Sequence, residues 1–426
     1  MRTMFTLPLL AAALAMTAGA QPDPFAPLAE RYARLVLAVG QHDADFVDAY
    51  YGPEGWKPAP GSAPPPRELL AQAESLGAAL EATAVPADPM LRLRREYLIA
   101  QTRATRTRLS MLTGAKLTFD EESRALYDAV APTRDEAYYD ALLAKLDRQV
   151  PGTGPLAERV EAFKQRFVIP RDKLDGVFRA AVAACRLATS KYLTLPPGEQ
   201  FAIEYVTGKS WAGYNWYQGQ YRSLIQVNTD LPIFIDRALD LACHEGYPGH
   251  HVYNVLLEHH LVRGRGWQEF TVYPLFSPQS LIAEGTANYG IEVAFPDAER
   301  LELERETLFP QAGLDPAEAG RYYDVLKALE GLSYAGNEAA RRYLDGRISA
   351  AQAADWLVTY TLISRARAEQ RVRFIDQYRS YVINYNLGKD LVRAHVERRG
   401  GIADTPAERW RIFGELLSSP RLPSGL

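Results

Sequence analysis

The sequence predicts a mainly α protein, a large helical domain with one small antiparallel β element. Apolar residues recur at helical spacing before residue 195 and again in the last third of the chain. Segments rich in proline and glycine, such as residues 58–66 and 151–155, separate these runs. Between residues 201 and 228 the composition changes to Gly, Trp, Tyr and β-branched residues, which favours strands.

The bulk composition limits the range of functions. The chain has 426 residues, of which 48 are basic and 52 acidic, and its net charge is -4. This length suffices for one large domain or two ordinary ones with a buried core. The balanced charge indicates no nucleic-acid partner and no binding to an anionic membrane, so small partners are expected instead. The oligomeric state is not readable from the sequence.

Residues 1–20 have the pattern of a secretory signal peptide. Arg2 precedes an apolar stretch at residues 4–16, and the small residues at 18–20 form a cleavage site before Gln21. No cysteine follows that site for a lipid anchor, and no later stretch reaches about 18 uninterrupted apolar residues. We therefore expect an exported protein, periplasmic or secreted, that is not membrane-bound after signal cleavage.

The chain after the signal peptide is predicted to have two regions. Residues 21–195 form a helical scaffold, with clear helical spacing at residues 27–39 and 90–112. Residues 196–426 form a metal-binding catalytic region, because the residues with chemical potential lie there. We expect the two regions to make one continuous globular unit.

A short strand is predicted at residues 222–228, where β-branched and polar residues roughly alternate. Its expected partner is the segment at residues 213–218. A strand at the edge of a sheet can bind a peptide by adding it as a further strand. A purely structural hairpin is the alternative.

A helix is predicted from residue 233 to about residue 245, after the polar caps and proline at residues 228–232. Residues 244–251 (HEGYPGHH) follow at its end and hold three of the seven histidines. Asp240 lies one turn before His244 and could accept a hydrogen bond from its ring. A solvated surface carboxylate is the alternative for Asp240.

These histidines have the chemistry of a catalytic zinc site at an unusual spacing. Such a site uses two imidazoles, a third ligand and a carboxylate that takes the proton of water, which Glu245 would provide. Pro248 occupies the position four after His244 where a regular zinc helix has its second histidine. A straight helix would separate His244 and His250 by about 9 Å, so the backbone must bulge or kink. His250 is the predicted second ligand of this zinc-binding helix, and His251 is the alternative.

A third ligand is predicted on a following helix, which begins with Ser277 as cap and Pro278 as first residue. Glu284 projects from a largely apolar face of this helix. A carboxylate about 40 residues after the first histidine fits a site of two histidines and one glutamate. Asn288, one turn on, could support Glu284. Glu292 is a weaker candidate.

The cysteines and a group of arginines each have two interpretations. Cys185 and Cys243 are the only cysteines, and we expect two buried thiols rather than a disulfide, because a chain of this size does not need one. Cys243 as a zinc ligand is a minor alternative. The arginines at positions 365, 367, 371 and 373 could hold a substrate carboxylate. A solvated charged face is the favoured interpretation of these arginines.

The sequence resembles a known family through two motifs. Residues 244–251 match the motif His-Glu-x-Tyr-Pro-Gly-His-His of the domain-of-unknown-function 885 family, bacterial proteins grouped with zinc metallopeptidases of the gluzincin type. Residues 284–289 (EGTANY) are similar to its second motif, Glu-Gly-Trp-Ala-x-Tyr, with Thr286 in place of the usual Trp. Further similarity includes residues 48–54 and 221–232, and the resemblance covers most of the chain after the signal peptide.

The resemblance implies a zinc site of His244, His250 and Glu284, with Glu245 as general base. It therefore implies a zinc-dependent hydrolase, most simply a metallopeptidase acting on a peptide or small amide substrate with Zn²⁺ as cofactor. One alternative is a non-catalytic peptide- or ligand-binding protein that retains the fold. Another is a metal-dependent amidase or esterase.

The resemblance also implies a tyrosine that acts on the oxyanion. The family has Tyr three residues before Gly in a helix near the C-terminus, and Tyr385 precedes Gly388 in this way. The Tyr385 hydroxyl, or alternatively His251, would stabilise the charge that develops on the substrate. A core role is the alternative, because Tyr385 belongs to a helical stripe of tyrosines that begins at Tyr378.

Overall fold

The computed structural model describes residues 23–426, and it confirms the mainly α prediction. The predicted signal peptide, residues 1–20, lies outside the described residues. None of the helices within residues 23–426 has the length and hydropathy that crossing a membrane requires.

Helices make up most of the described chain, and two small sheets complete it. The helices are α1 (Ala26–Val39), α2 (Pro66–Glu81), α3 (Pro89–Leu112), α4 (Phe119–Tyr127), α5 (Glu136–Gln149), α6 (Leu156–Gln165), α7 (Leu174–Ser190), α8 (Ile235–Leu241), α9 (His250–Leu257), α10 (Pro278–Ala294), α11 (Asp297–Leu303), α12 (Phe309–Ala312), α13 (Ala319–Glu330), α14 (Ala335–Leu344), α15 (Ala350–Thr361), α16 (Arg365–Tyr378), α17 (Ile383–Arg398) and α18 (Pro406–Leu417). The strands are β1 (Val47–Tyr50), β2 (Gln200–Val206), β3 (Gly213–Gly219), β4 (Arg222–Asn228) and β5 (Val272–Pro274).

Several helix ends follow local sequence signals. α4 begins with a capping box in which the Thr118 side chain and the Glu121 side chain each satisfy a backbone N–H of the other residue. α10 begins at Pro278 directly after Ser277, as the sequence predicts, but the Ser277 hydroxyl makes no capping hydrogen bond and donates to the carbonyl of Pro274 instead. This start fixes the register of the helix that carries Glu284.

The predicted hairpin is present, but the sheet around it is larger than expected. β3 and β4 pair antiparallel, with Gly213 opposite Val227. β2 pairs parallel with β4, so the strand order is β2-β4-β3 and the sheet is mixed. A second sheet joins β1 and β5, which are more than 200 residues apart in the chain. The sequence pattern of β1 alone is too short to predict this pairing.

The hydrophobic core is continuous across the two predicted regions. Tyr32 of α1 and Leu98 of α3 belong to the same cluster of buried residues as Leu281 of α10. The buried Arg94 pairs with the buried Glu269 at 2.5 Å, which joins α3 to the segment before β5. The division into a scaffold and a metal-binding region stays a prediction.

Candidate metal centre

The backbone between α8 and α9 bulges where the sequence requires it. α8 is followed by a single π-helical turn at Ala242–Gly246, which carries His244 and Glu245. Gly249 then lies against the carbonyl of His244, and a Cβ at this position would approach that oxygen to 1.8 Å. Only glycine fits this contact. The chain therefore turns back, and the rings of His244 and His250 lie 4.7 Å apart between centroids.

Glu284 of α10 lies between the two imidazoles. Its Oε2 is 3.2 Å from His244 Nε2, and its Oε1 is 3.8 Å from His250 Nε2. Zn–N and Zn–O bonds of about 2.0 to 2.1 Å in a tetrahedron place ligand atoms roughly 3.3 Å apart. Although His244 is near, Glu284 Oε2 is buried and has no hydrogen-bond partner within residues 23–426. Two imidazole nitrogens and a buried carboxylate thus lie together with the chemistry of a zinc-ligand set.

Glu245 completes the group. The ligand-type atoms of His244, Glu245 and His250 all lie within 4.8 Å of one another. Glu245 is 4% exposed, and burial raises the pKa of its carboxyl to about 7. Gly213 of β3 packs directly on it, since a Cβ there would lie 2.7 Å from Glu245 Oε1. The edge of the sheet therefore adjoins the predicted general base.

Burial and charge act in opposite directions on the two histidines. Burial lowers the pKa of His250 to about 4, which keeps its ring neutral at neutral pH. For His244, burial also lowers the pKa, but the carboxylates of Glu284 and Glu245 outweigh it, so the net pKa is raised. A metal ligand must be a neutral imidazole, so zinc binding would compete with protonation of His244.

Tyr381 is a functional candidate that the sequence reasoning missed. Its hydroxyl donates to Glu284 Oε1 at 2.7 Å, which fixes the carboxylate from the side of α17. Tyr385, one turn on, lines the cleft, and its hydroxyl has no hydrogen-bond partner among residues 23–426. The two rings lie 5.8 Å apart. The predicted helical stripe is interrupted, because α16 ends at Tyr378, Tyr381 lies in the 3-10 turn Arg379–Val382 and Tyr385 lies on α17, and only the tertiary contact with Glu284 separates the roles of the last two.

A contact between two glycines positions these tyrosines. Gly285 follows Glu284 on α10, and Gly388 follows Tyr385 by three residues on α17. A Cβ at Gly388 would lie 2.8 Å from the carbonyl oxygen of Leu281 and 3.0 Å from Gly285 Cα. The backbones of α10 and α17 therefore meet at the two glycines that the sequence motifs contain.

His251 is not brought together with these groups. Its side chain is fully buried, and it makes hydrogen bonds with Ser223 Oγ at 2.9 Å and Glu199 Oε2 at 3.0 Å. Tyr247 donates to the same Glu199 oxygen at 2.6 Å. Both ring nitrogens of His251 therefore have partners in a network behind α9, and this placement does not suit a metal ligand or a group that contacts the substrate.

Two suggested supporting contacts differ from expectation. Asp240 does not accept from His244, because its carboxylate pairs with Arg237 at 3.1 Å and with Arg300 at 2.8 Å. Asn288 donates to the backbone carbonyl of Glu284 rather than to its carboxylate. Helix spacing alone did not predict these contacts, because Arg300 of α11 also engages Asp240 and the carbonyl of Tyr385 also accepts from Asn288.

The prediction of two free thiols is wrong. Cys185 of α7 and Cys243 form a disulfide, with their Cα atoms 5.7 Å apart and a sequence separation of 58. The bridge ties α7 to the residue before His244. The expectation of thiols rested on chain size, and it could not include the packing of α7 against the π-helical turn.

A large cleft opens over these residues. Its volume is about 1020 Å³, and His244, Glu245, His250 and Glu284 lie on its wall together with Tyr385. Helices from the C-terminal third form much of the opposite wall. Zinc-type ligands, a carboxylate of raised pKa and a free tyrosine hydroxyl thus face one cavity.

Asp48 of β1 adds another carboxylate to the wall of this cleft. Tyr214 of β3 donates a hydrogen bond to it, and burial raises the pKa of Asp48 to about 7. No feature of the sequence indicated this pair, because β1 and β3 meet only in the folded chain.

Comparison with known proteins finds a similar fold but does not indicate which reaction, if any, the protein catalyses. No protein-family model matches the chain, and no curated protein matches it. A candidate lipoprotein from Colwellia psychrerythraea has a similar structure, with a TM-score of 0.51 and 14% identity over 87% of this chain and 69% of that chain. This likeness shows a shared fold. The resemblance to the domain-of-unknown-function 885 family stays a prediction.

Two further solved structures are less similar. A candidate lipoprotein of unknown function from Shewanella oneidensis has a TM-score of 0.41 and 13% identity, over 83% of this chain and 72% of that chain. Metallocarboxypeptidase 1 of Trypanosoma cruzi has a TM-score of 0.41 and 12% identity, over 95% and 92%. Similarity at this level supports no conclusion about fold or activity. The fold and the site define a mainly α protein with a candidate histidine and glutamate metal centre.

Proposed function

We propose that the protein is a zinc-dependent hydrolase, specifically a metallopeptidase, with His244, His250 and Glu284 as ligands. The observation that carries this proposal is Glu284 Oε2, which is buried, makes no hydrogen bond within residues 23–426 and lies 3.2 Å from His244 Nε2, while His250 Nε2 lies 3.8 Å from the other carboxylate oxygen. An unpartnered buried acceptor is unfavourable, and a bound zinc ion would satisfy it. His250 rather than His251 is the second nitrogen ligand in this proposal, because His251 has other partners.

The surrounding residues supply the rest of a hydrolytic site. Bound zinc would polarise a carbonyl oxygen and lower the pKa of water to about 7. Glu245, whose pKa burial raises to about 7, is matched to take a proton near neutral pH. The unpartnered hydroxyl of Tyr385 is available to donate to an oxyanion. Tyr381 holds Glu284 in place and is a positioning residue.

A peptide or small amide fits the shape of the cleft. The cavity of about 1020 Å³ lies at the upper end of the range for small-molecule sites, about 300 to 1,000 Å³. Among the described strands, β3 pairs with β4 alone, and its Gly213 adjoins Glu245. A peptide that added to this edge would bring a backbone carbonyl close to the candidate metal centre.

The test combines metal analysis with cleavage of a peptide library. We expect one zinc per chain and hydrolysis by the purified protein. Glu245→Gln should keep zinc but reduce kcat by about 10² to 10⁴. Glu302→Gln, an exposed glutamate on α11, is the matched control and should behave as the unmodified protein. Unchanged cleavage by Glu245→Gln would show that this mechanism is wrong.

The alternatives are separate outcomes of the same experiment. Bound zinc without hydrolysis of any peptide, amide or ester would favour a non-catalytic binding protein. Faster turnover of simple esters or amides than of peptides would favour a metal-dependent esterase or amidase. Export is also proposed, from residues 1–20 alone, and N-terminal sequencing of the periplasmic or secreted protein should begin at Gln21.

A further inference from the structure

Arg371 of α16 is a cation without a partner on the wall of the cleft. The other lysines and arginines there are engaged: Arg237 and Arg300 with Asp240, Lys327 with Asp297, Lys389 with Glu292, and Arg367 with the carbonyl of Pro232. Arg371 alone among them has neither a hydrogen bond nor an ion pair within residues 23–426. Its charge is therefore not neutralised by the described protein.

The surroundings of Arg371 hold the side chain without using its donors. The guanidinium carbon lies 4.9 Å from the ring centroid of Phe374 and 5.6 Å from that of Tyr385. Such cation–π contacts orient the guanidinium plane and leave its five N–H groups free. Burial lowers the pKa of Arg371, with Tyr385 and Glu284 acting in the opposite direction, but an arginine stays protonated. A partly buried cation with free donors is unfavourable unless an anion binds to it.

The location of Arg371 relates it to the candidate metal centre. Arg371 contacts Tyr385, whose ring is 5.8 Å from that of Tyr381, and Tyr381 donates to Glu284. Each of these steps is shorter than two extended residues of about 3.5 Å. An anion held by Arg371 would therefore belong to a group a few residues from the scissile bond.

The rest of the cleft favours a single carboxylate over a more highly charged anion. Its wall includes Asp48, Glu292 and Glu330 as well as the carboxylates of the metal centre. A dianionic phosphate would meet this acidic wall with one free cation to bind it. The planar fork of arginine matches a carboxylate, which it can bind through two parallel hydrogen bonds.

We propose that Arg371 binds a carboxylate of the substrate, namely the C-terminal α-carboxylate of a peptide cleaved close to that end. This inference rests on the proposed hydrolase function and specifies its substrate class as short C-terminal segments of peptides with a free carboxyl end. Arg371 is a specificity residue that contacts the substrate away from the reacting atoms. An acidic side chain offers the same chemistry, and the experiment separates the two sources.

The test measures binding and cleavage separately. Zinc-loaded protein carrying Glu245→Gln is mixed with randomised acetylated pentapeptides that lack Asp and Glu, as free acids or as C-terminal amides. We expect the acids to bind about 10- to 100-fold more tightly than the amides. Adding Arg371→Gln should abolish this preference, and Arg371→Lys should retain part of it. Arg373→Gln, on the exposed face of the same helix, is the control and should retain all of it.

Each outcome decides one point. Equal binding of acids and amides, or a preference that survives Arg371→Gln in a protein with unchanged thermal unfolding, overturns the role of Arg371. Amides that contain an internal Glu and bind as tightly as the acids, in an Arg371-dependent manner, overturn the α-carboxylate as the source. Cleavage by protein with Glu245 intact is then compared. If the protein binds the acids selectively but cleaves no peptide, the hydrolase proposal is refuted and the role of Arg371 is supported. If it cleaves peptides with no preference for acids, the hydrolase proposal is supported and the role of Arg371 is refuted.

Discussion

The contact between α10 and α17 leads to a sharp prediction for Gly388→Ala. The added methyl group would lie 2.8 Å from the carbonyl oxygen of Leu281 and 3.0 Å from Gly285 Cα, where ordinary contacts are 3.4 to 4 Å. Both neighbours are backbone atoms of a helix, so neither can rotate away. α17 must therefore shift from α10 by about 0.5 Å or more.

The expected effect on stability is the difference between two terms. Overpacking of this kind costs about 1 to 3 kcal/mol. The cost should be near the upper value, because the backbone of α10 that the methyl group meets is rigid. Replacing glycine by alanine inside a helix contributes about 1 kcal/mol in the opposite direction. The net loss should be about 2 kcal/mol in the free energy of unfolding. Gly77→Ala in α2 is the control, because its methyl group would have only a 4.0 Å contact and should stabilise the helix by about 1 kcal/mol.

The effect on the candidate metal centre should be larger than the effect on stability. The hydrogen bond from Tyr381 to Glu284, 2.7 Å long, comes from the 3-10 turn that leads directly into α17, and a shift of α17 by this amount should weaken it. Loss of such a supporting contact typically reduces metal affinity about 10- to 100-fold. Zinc affinity, measured by competition with a chelator, is the assay. Zinc affinity equal to that of the unmodified protein, together with the expected loss of stability, would refute the idea that this helix contact positions Glu284.

Three other perturbations test separate parts of the structure. Tyr381→Phe removes the hydrogen bond to Glu284 without changing the ring, so zinc affinity should fall about 10- to 100-fold. Replacing Cys185 and Cys243 together by serine opens a loop of 58 residues, and urea unfolding should show a loss of about 4 kcal/mol. Because Asp48, with its pKa near 7, binds its proton more tightly in the folded than in the unfolded chain, stability of zinc-free protein should fall as pH rises from about 4 to about 7. Asp48→Asn should remove about 1 to 2 kcal/mol of this fall between pH 5 and pH 8, a value reduced from the full pKa shift because Asp48 faces the open cleft.

Each of these tests has a contradicting result. Unchanged zinc binding in Tyr381→Phe would leave Glu284 positioned by other contacts. Two reactive thiols in the denatured, unreduced protein would contradict the disulfide. A pH dependence of stability that Asp48→Asn leaves unchanged would assign the titration to another group.

Sequence reasoning predicted the parts of the site that lie within short segments. The spacing of His244, Pro248 and His250 requires a bulge, and the structure has a π-helical turn there. Ser277 and Pro278 set the start of α10 and thereby the position of Glu284. These predictions depend only on helix geometry and on the backbone preferences of proline and glycine.

The parts that could not be predicted depend on contacts between distant segments. Tyr381 and Tyr385 are both tyrosines, one in the 3-10 turn Arg379–Val382 and one on α17, and only the approach of α10 decides which of them bonds to Glu284. The partners of His251 come from residues 199 and 223, in segments whose packing no local pattern encodes. The parallel pairing of β2 with β4 is of the same kind, because residues 200 and 222 meet through tertiary structure.

The charge distribution around the candidate centre gives a reason for its construction. Asp48, Glu245 and Glu284 share one cleft, where burial and their mutual repulsion raise the pKa values of the first two. A protein gains no stability from placing three carboxylates so close together unless a cation or protons offset the charge. A divalent ion held by Glu284 and the two histidines would reverse this balance, because it is the largest charge in the site. The same ion would lower the pKa of Glu245, which burial has raised, so burial and the ion act in opposite directions on the basicity of the proposed general base.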